Sequence, residues 1–235
     1  MARAMETDRS VRLQADGVTL EGDVTLPPGA RGVVLFAHGS GSSRHSPRNR
    51  YVARVLRDAG VGTLLMDLLT REEEQAEART GHLRFDIPLL ARRLGAAIDW
   101  LGRDEETRGL SVGLFGASTG GGAALAAAAE RPEAVRAVVS RGGRPDLAGA
   151  ALGQVRAPTL LIVGGHDHPV IAMNRDALAQ LQSEKRLDIV PGASHLFEEP
   201  GTLERVAQLA ASWFERYLRP ASPEGPLTPP RKQPR

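Results

Sequence analysis

Ser118, Asp167 and His195 are far apart in the chain, yet they are the residue types that perform acyl transfer when brought together. A neutral serine hydroxyl is a poor nucleophile; a histidine must take its proton, and a carboxylate must hold that histidine in the right tautomer. Ser118 lies in Gly116-Ala117-Ser118-Thr119-Gly120, between the apolar Leu110 to Phe115 run and an Ala/Gly-rich stretch. Small neighbours permit a sharp strand-to-helix turn that lifts the hydroxyl above a sheet. Taken alone, a Gly-x-Ser-x-Gly pattern in a chain with 26 glycines also reads as a glycine-rich helix start, so its context decides.

That context is the order serine, acid, histidine, with each residue following an apolar strand-like run. His195 lies in Pro191-Gly192-Ala193-Ser194-His195-Leu196-Phe197, a loop that returns a histidine over the sheet; the alternatives His38, His45 and His82 follow no late strand. The cluster His166-Asp167-His168 also permits a metal reading. Alternate residues on a loop point apart and no further carboxylate or cysteine is near in sequence, so no metal and no cofactor are expected. A developing oxyanion needs backbone donors, for which the Thr119 amide and the Ser40 amide are the candidates, with Gly41 next. The Ser/Gly loop with Arg44, His45, Arg48 and Arg50 nearby could instead cradle an anion, but it lacks the Lys-Ser/Thr ending of a nucleotide loop. Arg44 and Arg141 are the candidates for meeting a substrate carboxylate.

The elements that must carry these residues alternate. Val11 to Leu26 reads as a hairpin broken at Ala15-Asp16-Gly17, and Gly32 to Ala37 as a strand buried on both faces. Ser46-Pro47 starts a helix ending at Gly60. Gly62 to Met66 repeats the buried-strand pattern, and Arg71 to Arg79 reads as a solvated helical excursion without an apolar face. Ile87, Leu90, Leu94, Ile98 and Leu101 recur at helical spacing. Strands at Val135 to Val139, Thr159 to Val163 and Leu187 to Val190 follow, with helices over Ile171 to Leu181 and Leu203 to Leu218 between and after them. This alternation predicts an α/β fold with a doubly wound, mostly parallel sheet of about 7–8 strands, where function gathers at the strands' carboxyl ends.

Length and composition set the limits. The chain has 235 residues, 41% hydrophobic and 25% charged, enough for one well-cored domain over 11–219. Residues 1–10 are read as a flexible N-terminus and 220–235 as a disordered, proline-rich basic tail. There is no cysteine, which removes disulfides, thiolate metal sites and a cysteine nucleophile together. No run reaches the roughly 18 apolar residues of a membrane span, and Met1 to Ser10 lacks an apolar signal core; a cytoplasmic protein, monomer or homodimer, is expected. The net charge is +2 and the arginines form no stripe interleaved with aromatics, so neither nucleic acid nor membrane is expected as a partner.

The motif around Ser118, the phrase Pro158 to Gly165 followed by Asp167, and Gly192-Ala193-Ser194-His195 together resemble the α/β-hydrolase superfamily, in particular its small members grouped with the dienelactone hydrolases. The likeness spans roughly Val18 to Leu218. It implies little or no lid and hydrolysis of a small-molecule ester without a cofactor. Dienelactone hydrolases proper carry cysteine where this chain has Ser118, so the expectation is a general carboxylester hydrolase with an open pocket. A non-catalytic binding protein on the same fold, or a thioesterase or acyltransferase, are the alternatives.

Overall fold

Asp16 and Gly17 both take positive φ, 51° and 81°, the turn that returns one strand onto its neighbour with the native twist. They join β1 (Thr7–Ala15) and β2 (Val18–Leu26), which pair antiparallel from Thr7↔Leu26 to Ala15↔Val18. The computed structural model describes residues 6–218, and of 77–80 the backbone alone. The basic tail and Met1 to Met5 lie outside the described residues. The first strand begins at Thr7, inside the stretch read as a flexible N-terminus, because Asp8 and Ser10 hydrogen-bond Thr25 and Asp23 across the hairpin.

Eight strands form one sheet in the order β1-β2-β4-β3-β5-β6-β7-β8. β3 (Gly32–Ala37), β4 (Gly62–Met66), β5 (Ser111–Ala117), β6 (Val135–Arg141), β7 (Thr159–Gly164) and β8 (Lys185–Val190) run parallel, and β2 joins β4 antiparallel. β3, β4 and β7 are buried at every position because both faces of the sheet are covered. Val33 and Leu35 face α3 (Ile87–Leu101) and α4 (Thr119–Glu130), whereas Val34 and Phe36 face α1 (Pro47–Asp58) and α6 (Thr202–Tyr217). After β3 the chain steps to β4; after β4 it crosses back to β5. The winding therefore reverses between β3 and β5, the switch point at which open α/β sheets place their ligands.

Two further segments sit at that end of the sheet. α2 (Arg71–Thr80) and a 3-10 turn (Leu83–Phe85) follow β4, so the excursion predicted as solvated is tied down. Thr70 and Glu73 form a capping box, Glu73 N to Thr70 Oγ1 at 3.2 Å and Thr70 N to Glu73 Oε2 at 2.8 Å. The buried Arg93 of α3 then holds Glu73 with both terminal nitrogens, at 2.7 and 2.6 Å, and donates to Leu68 O at 2.7 Å. α5 (His168–Gln180) begins directly after Asp167, three residues before the apolar positions that marked its expected start. No helix among the described residues is long and apolar enough to cross a membrane.

Candidate active site

β5 ends at Ala117 and α4 begins at Thr119, so Ser118 alone makes the turn, with φ 51° and ψ −122°. For a residue with a Cβ this backbone costs about 1–3 kcal/mol and persists only where the surroundings impose it. They do so through three backbone bonds: Ser118 N–H to Arg141 O (3.3 Å), Gly121 N–H to Ser118 O (2.9 Å) and Arg144 N–H to Ser118 O (3.0 Å). Glycine is required on both sides. A Cβ on Gly116 would stand 2.6 Å from Gly121 Cα, and one on Gly120 would overlap Ala37 O and sit 2.6 Å from His38 O. Ser118 is partly exposed at this crowded corner.

Asp167 follows β7 and occupies the cap position of α5, but its carboxylate makes no cap bond. It instead contacts His195 Nδ1 through Oδ2 at 2.6 Å, with the acid 12% and the histidine 39% exposed at the side chain. The His195 loop is pinned at both ends: His166 N–H donates to Ala193 O (2.9 Å) and Ser194 N–H to Glu199 Oε2 (3.0 Å). A Cβ on Gly142 would lie 3.6 Å from His195 Cε1, so the imidazole rests on the residue after Arg141, whose carbonyl receives the Ser118 N–H. Serine and histidine therefore flank one short piece of backbone, and the aspartate backs the histidine.

The loop after β3 lies against the serine. A Cβ on Gly39 would be 3.1 Å from Ser118 Cβ. Ser40 N–H donates to Thr119 Oγ1 at 3.0 Å, and the two hydroxyls are 3.1 Å apart. The Ser40 amide is thus beside the nucleophile position, as expected, but engaged by the Thr119 hydroxyl. His38, weighed only as an alternative to His195, has another place. It is buried, its Nδ1 lies 2.9 Å from Gly39 O, and Nε2 accepts the Leu68 N–H at 3.0 Å. Burial holds its pKa below the ordinary histidine value. His38 therefore locks the β3 loop to the chain leaving β4, a role that only tertiary contact makes visible.

An open cleft of about 510 Å³ adjoins Gly39, Ser40 and Thr119, with Leu68, Leu69 and Leu90 among its walls. Glu74 and Arg84 also line it, so the excursion after β4, expected to be solvated, supplies a wall. The apolar surroundings and neighbouring Asp67 raise the Glu74 pKa, against the lowering effect of Arg44.

The two arginines expected at a substrate carboxylate part company. Arg44 is a correction: it pairs with Asp67, with Glu21 at 2.7 Å and with Asp23 at 3.5 Å, so three carboxylates already neutralise it and no anion is attracted there. Arg141 is the opposite case. It is buried, and its pKa is pushed down to about 10 by desolvation and by the neighbouring charge of Arg48. Its hydrogen bond among the described residues goes to Asn49 Oδ1, at 3.4 Å, and its Nε has no partner.

A doubly wound sheet with a strained serine at the switch point and an aspartate-backed histidine opposite defines an α/β-hydrolase. Residues 20–219 match the model of the dienelactone hydrolase family, and the chain belongs to that family. It is 67% identical to a dienelactone hydrolase from Anabaena variabilis whose crystal structure superposes with a TM-score of 0.89, covering 91% of this chain and 99% of that one. A dienelactone hydrolase-like promiscuous phosphotriesterase from metagenomic libraries shares 20% identity at a TM-score of 0.73, over 90% of this chain and 98% of that one, a likeness of fold. A Mycobacterium tuberculosis protein named "Putative phosphoribosyl transferase" is 57% identical over 218 residues, 93% of this chain but 48% of that protein. The chain thus spans about half the length of the curated relatives it matches.

Proposed function

We propose that this chain is a serine hydrolase that cleaves small carboxylic esters through an acyl-enzyme. The observation carrying the reading is the positive φ of Ser118 at the switch point, strain that a structural serine has no need to bear, combined with the 2.6 Å contact between Asp167 and His195. Ser118 Oγ attacks the ester carbonyl while His195 takes its proton, and Asp167 holds Nδ1 so that Nε2 is the base. The negative charge on the former carbonyl oxygen is met by the Thr119 amide and by the Ser40 amide, which exchanges its Thr119 hydroxyl partner for the oxyanion. The C–O bond breaks, His195 protonates the departing alcohol, and a water activated by the same histidine releases the acid and restores the serine.

The cleft volume falls within the usual small-ligand range of about 300–1,000 Å³, and its leucine walls favour short acyl or aryl esters over long lipids. Phosphoribosyl transfer is named for a protein of which the matching region is 48%; in this chain Ser118 favours acyl transfer to water. Wild type is expected to cleave short-chain nitrophenyl esters and to take up a fluorophosphonate at Ser118. Ser118→Ala is expected to lose both, with kcat falling by at least ~10⁴-fold. Turnover in Ser118→Ala equal to wild type would overturn the assignment. Thioester and acyl-acceptor panels assayed alongside separate ester hydrolysis from thioesterase or transferase chemistry.

A further inference from the structure

Asn174 lies on the buried face of α5 with Val170, Ile171 and Ala177, and none of it reaches solvent. An amide placed there costs stability unless it is hydrogen-bonded. Its Nδ2 donates to Val170 O at 2.8 Å, one turn back in the same helix, and to Gly143 O at 3.0 Å, in the chain leaving β6. Oδ1 is buried and meets no donor among the described residues. The bond to Val170 stays within α5, so the reach to Gly143 O is the one that joins two elements. Gly143 is itself buried, and it follows a second glycine, Gly142, at φ 51°. Two successive residues without a Cβ have the greatest backbone freedom of any pair. Their path must be held from outside.

Every residue of that path serves the site. Arg141 O accepts the Ser118 N–H, and Arg144 N–H donates to Ser118 O. Between them Gly142 lies against the His195 ring, and Gly143 packs so closely on Ser140 that a Cβ would overlap its hydroxyl. The helix that holds Gly143 is also the helix that starts from the acid: Asp167 precedes α5, and Asn174 follows it by seven positions, about two helical turns. Asp167 fixes Nδ1 of the imidazole, and Asn174 fixes the backbone on which that imidazole rests. We propose that Asn174 is a positioning residue, which by holding Gly143 O sets the separation between Ser118 Oγ and His195 Nε2. It touches neither substrate nor reacting atoms and acts through the backbone of Gly142 and Arg144. The assignment rests on the esterase reading and adds a residue to the machinery of that site.

The test measures 4-nitrophenyl acetate turnover in wild type, Asn174→Leu and Asn174→Ser, below the melting temperature of each, with kcat counted per serine that a fluorophosphonate labels at completion. Leucine keeps the branched shape without an N–H. Serine keeps a hydroxyl that can bond Val170 O but is too short to reach Gly143 O. Both variants are expected to lose about 10–100-fold in kcat per labelled site, the cost of a displacement of about 1 Å, while KM stays within about threefold of wild type. The rate of fluorophosphonate labelling should fall by a similar factor, because it reads the same serine–histidine geometry without an ester. A residue that only stabilises the fold would lower the melting temperature and leave kcat per site and the labelling rate at wild-type values; that result overturns the assignment. If Asn174→Leu does not fold, Asn174→Ser decides, and failure of both to fold overturns positioning in favour of a structural role. Rates unchanged in the variants of an active wild type overturn the role of Asn174 alone. A wild type that neither turns over the ester nor takes the label overturns the esterase reading and this assignment with it.

Discussion

Asp167 stands where a helix would use an aspartate as its N-cap, yet its carboxylate is given over to His195. A cap bond is worth about 1 kcal/mol, so the start of α5 forgoes local stability to hold a buried-side acid on an imidazole. Replacement by asparagine separates the two roles. Asparagine caps as well as aspartate but has no charge to stabilise an imidazolium and an amide that can force the wrong tautomer. Asp167→Asn is therefore expected to lower kcat by roughly 10³–10⁴-fold on nitrophenyl esters, while its melting temperature stays at or slightly above that of wild type. A variant that melted far lower, with activity lost in proportion, would make the residue structural.

The turn from β5 to α4 and the clamp on α2 show two ways in which an element positions the site. At the turn, contact between backbones leaves no room: Gly120→Ala would drive a methyl into Ala37 O and His38 O, separating α4 from the β3 loop. We expect a loss of about 1–3 kcal/mol in urea unfolding together with loss of the Ser118 fluorophosphonate label. On α2 the connection is electrostatic. Arg93→Met leaves Glu73 without its partner and frees the Leu68 carbonyl that Arg93 binds. Because the Arg93 side chain is 2% exposed and Glu73 24%, the expected cost is about 2–4 kcal/mol, with KM for short esters rising as the Leu68 and Leu69 wall loosens. Sequence pattern reached the first of these devices and missed the second. Gly116 to Gly120 is contiguous, and its small residues state the turn directly. Glu73 and Arg93 are twenty positions apart, and Arg71 to Arg79 has no apolar stripe, so a periodicity reading sees only a charged surface helix.

At the scale of the molecule, the alternation of buried strands and amphipathic helices made the parallel sheet, its leading hairpin and the strand-end placement of Ser118, Asp167 and His195 legible, because each depends on local pattern and chain order. What required the folded structure was how charge is distributed between distant loops: Arg44 with three carboxylates, Arg141 with none among the described residues, and His38 as a buried tie. His38 extends that tie to global stability. Its native pKa lies below the ordinary value of about 6.5, first because burial disfavours the imidazolium and although Gly39 O and Asp67 act to raise it. In the unfolded chain the same ring gains a proton as pH falls through about 6.5, whereas the native ring stays neutral until lower pH, with Nε2 holding the Leu68 N–H. The unfolded state then binds more protons, so stability declines as pH falls from about 6.5 towards the native pKa. Glu74, whose native pKa is raised, acts with the opposite sign at its own titration, and comparison of wild type with a variant cancels it. His38→Leu is expected to be less stable by about 1–3 kcal/mol at pH 8, where the Leu68 amide loses its acceptor, but to unfold with a shallower pH dependence between pH 7.5 and 5. Urea titrations of both proteins across that range measure the difference: converging curves are the expected result, and parallel ones would place the pH sensitivity on another group.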